Sequence, residues 1–258
     1  MKSKLFDIHS HLNFPEFDND REEVIEKMRE EGIFSIVVGT DKKTSTLAIE
    51  LAERYENIFA SIGLHPTDRE NEEFDYGFYG KLADHPKVVA IGECGIDLFH
   101  CDKGDMGRQA DIFKKHIELA IDINKPLMIH CRDAHNEVLK ILHSYHLAHS
   151  DKLRGNIHFF SGNFDMAKKY FDFGFSISFA GVITFSRDYD EVIRSAPLDK
   201  IMIETDSPFT APVPYRGKRN EPLYVKEIAQ KIAEIRNISY EEVAIVTVEN
   251  ALRMFCKD

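Results

Sequence analysis

The sequence predicts a (β/α)8 barrel, an α/β fold, built as a single domain over residues 1–258. The length of 258 residues is ordinary for one such barrel. Eight short apolar runs alternate with longer amphipathic stretches. An open doubly wound sheet is less favoured, because it usually has fewer strands and often carries a GxGxxG phosphate turn, which this sequence lacks.

The eight predicted strands are runs rich in Ile, Val and Phe, as expected of buried parallel strands. They cover residues 5–8, 33–38, 58–62, 88–91, 127–129, 156–160, 175–179 and 200–203. Amphipathic helices are predicted between them, for example over 21–31 and 108–123, and two more helices close the chain. The charged stretch 69–75 is predicted to be a solvated loop before a helix.

Composition narrows the classes of function. The formal net charge of -11 argues against a broad basic surface that coats nucleic acid. The four cysteines show no CxxC spacing and are too few for a disulfide scaffold, which fits a reducing compartment. Asp7, His9 and His11 interrupt what would be the apolar core of a signal peptide, and no later run reaches membrane-spanning length. We therefore expect a cytoplasmic protein without membrane contact.

Histidines and carboxylates lie directly after six of the predicted strands, or at their ends. In a parallel barrel these strand ends converge on one rim, where barrel enzymes place their catalytic groups. Six ionisable groups facing one point would be costly to desolvate without a cation. The six candidate metal ligands are His9, His11, Glu93, His130, His158 and Asp206.

His9 and His11 stand two residues apart on a strand, so both imidazoles point to one side and can chelate one ion. Four histidines and two carboxylates exceed the ligands of a usual mononuclear zinc site and suffice for two ions if one carboxylate bridges them. Glu93 is the candidate bridge, because its strand lies between those of the two histidine groups. Asp206, on the last strand, neighbours the first.

The remaining histidines have simpler interpretations. His116 and His135 each begin an HxE sequence, as in zinc deaminases, but both lie in predicted helices and no PCxxC follows. No GxSxG supports serine chemistry. The histidines expected at the surface are His85, His100, His143, His146 and His149.

The motifs around these residues resemble the TatD family of metal-dependent deoxyribonucleases, within the amidohydrolase superfamily. The resemblance covers the whole chain and rests on DIHSHL, GLHP, IGECGID, IHCRDA, HFFSG, ETDSP, the stretch APVPYRGKRNEP at 211–222, and VENALRMF. Departures from the family pattern are modest: Phe159 stands where Cys is frequent, Ile96 where Leu is usual, and His116 where Gln is common. None removes a ligand.

The resemblance implies two divalent ions, one held by His9, His11, Glu93 and Asp206, the other by Glu93, His130 and His158. It also implies a nuclease that releases nucleotides from the 3′ end of DNA, supported by magnesium or manganese. Imidazole ligands, in contrast, favour zinc, nickel or iron as bound species. The expected partner is DNA, single-stranded or at 3′ ends, and a monomer is favoured.

Further roles can be assigned to residues near the ligands. Asp206 is the candidate base, and Asp97, Glu204 and Arg132 are placed to orient ligands, Arg132 alternatively contacting a phosphate. His65 is surplus to coordination and is expected to contact a substrate phosphate or the leaving group. The candidate DNA-binding cations are Arg216, Lys218 and Arg219 in the loop after the last strand.

Two other functions stay open. A barrel of the phosphotriesterase or amidohydrolase type would act on small esters, lactones or amides, and many such enzymes use a carbamylated lysine as the bridge. Here the matching strand end offers Glu93, whereas Lys87 and Lys125 lie at strand beginnings. A metal-stabilised binding protein without turnover would need a saturated coordination sphere, and the surplus polar groups His65, Glu204 and Arg132 favour catalysis instead.

Overall fold

The computed structural model describes residues 4–67, 72–100 and 105–256. Cys101 and residues 69–71 of the predicted charged loop lie outside these ranges. Eight parallel strands follow one another in sequence order. They are β1 (Leu5–Ser10), β2 (Ile33–Val38), β3 (Ile58–Ile62), β4 (Val88–Asp97), β5 (Leu127–Arg132), β6 (Gly155–Ile157), β7 (Phe175–Phe179) and β8 (Ile201–Ile203).

Helices follow the strands and cover the outside of the sheet. They are α1 (Arg21–Glu31), α2 (Lys42–Arg54), α3 (Tyr76–Ala83), α4 (Met106–Asp122), α5 (His135–His149), α6 (Phe164–Asp172), α7 (Asp190–Ser195), α8 (Val225–Arg236) and α9 (Tyr240–Phe255). The bounds predicted for α1 are confirmed, and those of α4 differ by two residues at its start and one at its end. In the described residues, no helix is long and apolar enough to cross a membrane.

The sheet closes through contacts between its last and first strands. A parallel bridge joins Ser10 to Ser207, and the Asp206 N–H donates to the carbonyl oxygen of His9 at 2.9 Å. Each of the other neighbouring strands pairs in parallel with the next. The predicted (β/α)8 barrel is therefore confirmed.

Four predicted carboxyl-terminal strand ends are wrong. β1 continues to Ser10 and β5 to Arg132, where the predictions stopped at residues 8 and 129. β4 continues to Asp97 rather than ending at residue 91, because glycines let it stay paired with β5 through a register shift. At Gly92 and Gly95 φ is positive, and an added Cβ would lie 2.2 Å and 2.0 Å from carbonyl oxygens of β5. β6 ends at Ile157, so His158 lies just beyond its strand.

The interior of the barrel is filled by apolar side chains. Phe6, Ile8, Ile36, Met128 and Met202 belong to one fully buried cluster. A second, larger cluster packs the strands against the helices. Because side chains fill the lumen, polar groups that need access to solvent are confined to the rim at the strand ends.

Candidate metal centre

The strand ends bring the six predicted ligands together, and all of them except His9 line one cavity of about 1060 Å³. Each comes from a separate strand or its exit, apart from His9 and His11, which both come from the end of β1. All six side chains are at least four-fifths buried. The prediction that these strand ends converge is confirmed by the geometry.

The first group of ligand atoms lies around His9 and His11. Their Nε2 atoms are 3.2 Å apart. Both face Glu93 Oε2, at 3.4 Å and 3.6 Å, and Asp206 Oδ1, at 3.7 Å and 3.5 Å. Two imidazole nitrogens and two carboxylate oxygens therefore surround one point, a donor set suited to a divalent transition metal.

The second group lies around the other oxygen of Glu93. Oε1 is 2.9 Å from His130 Nδ1 and 2.9 Å from His158 Nε2, and these two nitrogens are 3.2 Å apart. Glu93 thus presents one carboxylate oxygen to each group. This arrangement is the one that the predicted bridging role requires.

The outward nitrogens of two histidines indicate which form of each ring faces the centre. His11 Nδ1 lies 3.0 Å from the Val38 carbonyl oxygen, and His130 Nε2 lies 3.0 Å from Asp97 Oδ2. Because these oxygens accept hydrogen bonds, each outward nitrogen carries a proton, and a neutral ring then turns its lone pair inward. His158 Nδ1 lies 3.4 Å from Glu204 Oε1, but it and His9 Nδ1 are buried without a hydrogen-bond partner in the described residues.

A cation fits this centre on chemical grounds. The inward atoms are imidazole lone pairs and carboxylate oxygens, which repel one another unless positive charge lies between them. Burial opposes the charged form of Glu93, yet the neighbouring His65, His158 and His130 outweigh it and hold its pKa well below the usual value. Burial also opposes the charged form of His158, yet Glu93 and Glu204 raise its pKa well above the usual value. The centre therefore favours positive charge, as protons or as metal ions.

His65 differs from the candidate ligands because its Nε2, the nitrogen nearest the centre, carries the ring proton. Its Nε2 is 3.1 Å from Glu93 Oε1, and ligand atoms of His65, Glu93 and His130 lie within 4.8 Å of one another. However, the Thr67 backbone N–H donates to His65 Nδ1 at 3.1 Å. A neutral His65 with Nδ1 as acceptor carries its proton on Nε2, facing the cavity. This supports the prediction that His65 is a donor near the centre and not a ligand.

Glu204 is held in a buried network that the sequence did not reveal. Its Oε1 accepts from the Phe159 backbone N–H at 2.7 Å, and its Oε2 accepts from Ser178 Oγ at 2.6 Å. Ser178 in turn lies 2.7 Å from Asn156 Oδ1. Glu204 is thereby fixed against His158, which agrees with the orienting role predicted for it. The polar side chains of β6 and β7 gave no separate signal in the sequence.

Asp97 contacts two histidines. Its Oδ2 lies 3.0 Å from His130 Nε2 and 2.8 Å from His100 Nδ1. Burial would raise its pKa, but these histidines outweigh it and hold the pKa far below the usual value. His100 is exposed as predicted, but its contact with Asp97 was missed. Arg132 lines the cavity with its guanidinium 4.8 Å from the centre of the Phe99 ring.

Asp7 is a further residue that sequence reasoning did not assign. Its carboxylate accepts from the backbone N–H and the hydroxyl of Thr205, at 2.8 Å and 2.7 Å, and from the His9 N–H at 3.3 Å. Burial raises its pKa well above the usual value. Since Thr205 precedes Asp206, Asp7 fastens the two strand ends that supply the first group of ligands. Its place in the motif DIHSHL was the only available signal.

The predicted cationic loop does not enter the centre. Arg219 pairs with Asp20 at 2.6 Å and Glu221 at 3.1 Å, and Arg216 donates to the Ala211 carbonyl oxygen while its guanidinium lies 3.9 Å from the centre of the Phe185 ring. Lys218 is exposed. In the part of the chain that the structure describes, residues 216–219 do not line the cavity. Arg219 therefore has structural partners already, and contact with DNA remains a prediction for Arg216 and Lys218.

The two HxE histidines lie in helices, as predicted, and outside the ligand groups. His116 in α4 is buried, accepts from the Leu64 N–H at 3.0 Å and donates to the Ile112 carbonyl oxygen at 2.9 Å. Burial lowers its pKa to about 4. His135 begins α5 and lies 3.0 Å from Tyr170 Oη. Both positions are structural, which agrees with setting aside a deaminase site.

The chain is similar to known metal-dependent hydrolases. Residues 6–256 match the model of a family described as TatD related DNase. The chain is 43% identical over 255 residues to the metal-dependent hydrolase YabD of Bacillus subtilis, covering 97% of this chain and 98% of that protein. It is 34% identical over 257 residues to the metal-dependent hydrolase YcfH of Escherichia coli, covering 97% and 95%.

A solved structure shows the same relationship in three dimensions. The crystal structure of YjjV, a TatD homologue from Escherichia coli, superposes with a TM-score of 0.91 at 27% sequence identity and covers 100% of both chains. Matching motifs, fold and converging ligands thus point to the same group of enzymes. The chain belongs to the TatD family of metal-dependent hydrolases.

Proposed function

We propose that this hydrolase is a deoxyribonuclease that cleaves phosphodiester bonds of DNA at single-stranded 3′ ends, using two divalent ions. The observation that carries the proposal is the carboxylate of Glu93, which presents Oε2 to one pair of histidines and Oε1 to another. Two adjacent cations bridged by a carboxylate are suited to phosphoryl transfer, where charge develops on both the attacking and the leaving oxygen. The family description as a DNase supports the same substrate.

The residues that would hold the ions follow from the two groups. His9, His11, Glu93 and Asp206 would hold one, and Glu93, His130 and His158 the other. When bound, the ions would neutralise charge on the phosphate and make a water molecule more acidic. We propose magnesium or manganese as activating ions, with zinc, nickel or iron as further bound species because four ligands are imidazoles.

The chain's own groups then perform the proton transfers. Asp206, whose side chain is 15% exposed against 4% for Glu93, is the more open of the two candidate ligand carboxylates and accepts the proton of the attacking water. Water adds to phosphorus, the bond from phosphorus to the sugar 3′ oxygen breaks, and the leaving oxygen takes a proton from solvent while Asp206 releases its own to solvent. His65, whose Nε2–H faces Glu93 Oε1 at 3.1 Å, would donate a hydrogen bond to the leaving oxygen. Arg132 offers a cation to the substrate phosphate.

The alternative of a phosphotriesterase-type hydrolase has less support. Lys87 Nζ donates to carbonyl oxygens that include Ile58, and Lys125 Nζ donates to the Val88 carbonyl oxygen at 2.6 Å. Both lysines are therefore engaged at the beginnings of strands, away from the ligand groups. A binding protein without turnover is also less favoured, since His65 and Arg132 add reactive polar groups beyond the ligands. We further propose that the enzyme is cytoplasmic and monomeric.

The test is a substrate panel with the metal varied. Purified protein, stripped with chelator and reloaded with magnesium, manganese, zinc or nickel, is incubated with single-stranded DNA, duplex DNA, RNA, small phosphodiesters and lactones. We expect release of mononucleotides from the 3′ end of single-stranded DNA and no release after chelation. Hydrolysis of lactones or esters without hydrolysis of any oligonucleotide would instead support the alternative.

A further inference from the structure

Phenylalanine side chains stand exposed beside the metal centre. Phe209, three residues after Asp206, is 47% exposed, and Phe14, three residues after His11, is partly buried. Both line the cavity whose floor carries the ligands. Exposing apolar rings to water is unfavourable by roughly 25 cal/mol per Å², and two such rings on one wall of a polar cavity form a candidate contact surface for a ligand.

The two rings form a corner next to one ligand. Phe14 stacks on the imidazole of His11, with centroids 4.4 Å apart and planes inclined by 16°. Phe209 stands edge-on to both, 6.2 Å from Phe14 at 76° and 6.1 Å from His11 at 67°. The wall of the cavity closest to the first ligand group is therefore aromatic. A planar group of a bound molecule can lie against this wall while another part of the same molecule reaches the centre.

We propose that Phe14 and Phe209 form a stacking surface for an unpaired nucleobase adjacent to the phosphodiester that is cleaved. This inference rests on the proposed function and adds the recognition element. A base inside a duplex is stacked on both faces, and a base at a duplex end is still paired with its complement, so a single-stranded or frayed end places a base here at the lowest cost. Phenyl rings offer no hydrogen-bonding groups, so the surface favours a nucleotide that has a base over an abasic one but does not select among the four bases.

The charge distribution makes such a surface useful. The protein carries a formal net charge of -11, and Asp41 and Asp105 line the cavity beside the ligand carboxylates. Arg108 and Arg132 also line the cavity, so the cations that can attract the DNA backbone are few and local. Stacking supplies affinity that does not depend on cations, and it holds the terminal nucleotide in place for cleavage.

The experiment compares substrates with and without the terminal base. Single-stranded oligonucleotides ending in a normal nucleotide or in an abasic tetrahydrofuran nucleotide are digested by the wild type, Phe209→Leu and Phe209→Trp. We expect Phe209→Leu to lower kcat/KM on the normal substrate on the order of 10-fold, to change it little on the abasic one, and Phe209→Trp to restore it. Tyr76→Leu, which alters an aromatic ring of similar exposure (40%) on α3 that does not line the cavity, should leave both unchanged.

A binding measurement separates stacking from catalysis. An oligonucleotide with 2-aminopurine at its 3′ end and a non-cleavable methylphosphonate linkage should lose fluorescence on binding the wild type and much less on binding Phe209→Leu. Equal losses of kcat/KM on the normal and abasic substrates, with quenching retained, would show that Phe209 only shields His11, and would overturn the stacking role while leaving the nuclease intact. A wild type that hydrolyses neither oligonucleotide would overturn both proposals.

Discussion

Replacement of His116 by Gln should make the protein more resistant to acid. His116 is buried against Leu64 and Ile112, and burial lowers its pKa from 6.5 to about 4. The folded protein therefore keeps it neutral over a pH range in which the unfolded chain protonates it. Its contribution to the free energy of unfolding is full above pH 6.5 and is lost as the pH falls towards 4. Gln can accept the same hydrogen bond from the Leu64 N–H without titrating.

The size of the effect follows from these two pKa values. Each pH unit between them changes the free energy of unfolding by about 1.4 kcal/mol. Relative to His116→Gln, the wild type should therefore lose about 2 kcal/mol between pH 6.5 and 5, and about 3 kcal/mol by pH 4. Both proteins contain the same titrating carboxylates, so their contributions cancel in the difference between the two free energies of unfolding. The test therefore compares how this difference changes with pH, and not the absolute stability of either protein.

The assay is urea unfolding of chelator-treated proteins at several pH values between 4 and 7.5. Metal must be removed because it stabilises the folded state and its binding is itself pH-dependent. His143→Gln, at an exposed position on α5, is the matched control and should run parallel to the wild type. If the His116→Gln curve also ran parallel to the wild type, His116 would not be the buried neutral histidine that the structure indicates.

Four further predictions concern the centre and the loop. Glu93→Gln should lower the content of both metals, measured by elemental analysis, because the bridging carboxylate is shared; loss of only one ion would contradict the bridge. His65→Ala should lower kcat while its metal content stays near that of the wild type, whereas His130→Ala should lose metal. Loss of metal from both variants would show that His65 is a ligand. Metal affinity measured by titration should fall as the pH falls. Neighbouring carboxylates raise the pKa values of His11 and His158, so protons compete with the metal ion for these rings. Affinity independent of pH between 8 and 5 would refute this. Arg219→Ala should lower the free energy of unfolding by about 1 kcal/mol without changing the salt dependence of DNA binding. The double variant Arg216→Ala with Lys218→Ala should instead make DNA binding less dependent on salt. A weaker salt dependence in Arg219→Ala would show that its pairing with Asp20 opens on binding.

The positions of the ligands could be predicted from sequence because they follow from chain periodicity. Alternating apolar runs define parallel strands, and the residue directly after each run must lie at the carboxyl rim of the barrel. His9, His11, Glu93, His130 and Asp206 were therefore assigned to one centre before any distance was known. The wrong end of β4 did not disturb this, since Glu93 stays at the rim whether the strand stops at residue 91 or continues.

Tertiary structure decided what depends on partners distant in the chain. The proton on His65 Nε2 follows from the backbone of Thr67, the pairing of Arg219 follows from Asp20 about 200 residues away, and the hold on Glu204 follows from Ser178 on another strand. The sequence by itself determined the fold, and it predicted a candidate ligand set and the sign of the charge that the centre needs, because periodicity and residue chemistry are local properties. Which oxygen of Glu93 faces which histidines, and which rings line the cavity, were decided only when the barrel closed, because hydrogen-bond direction and stacking depend on the relative placement of side chains from different strands.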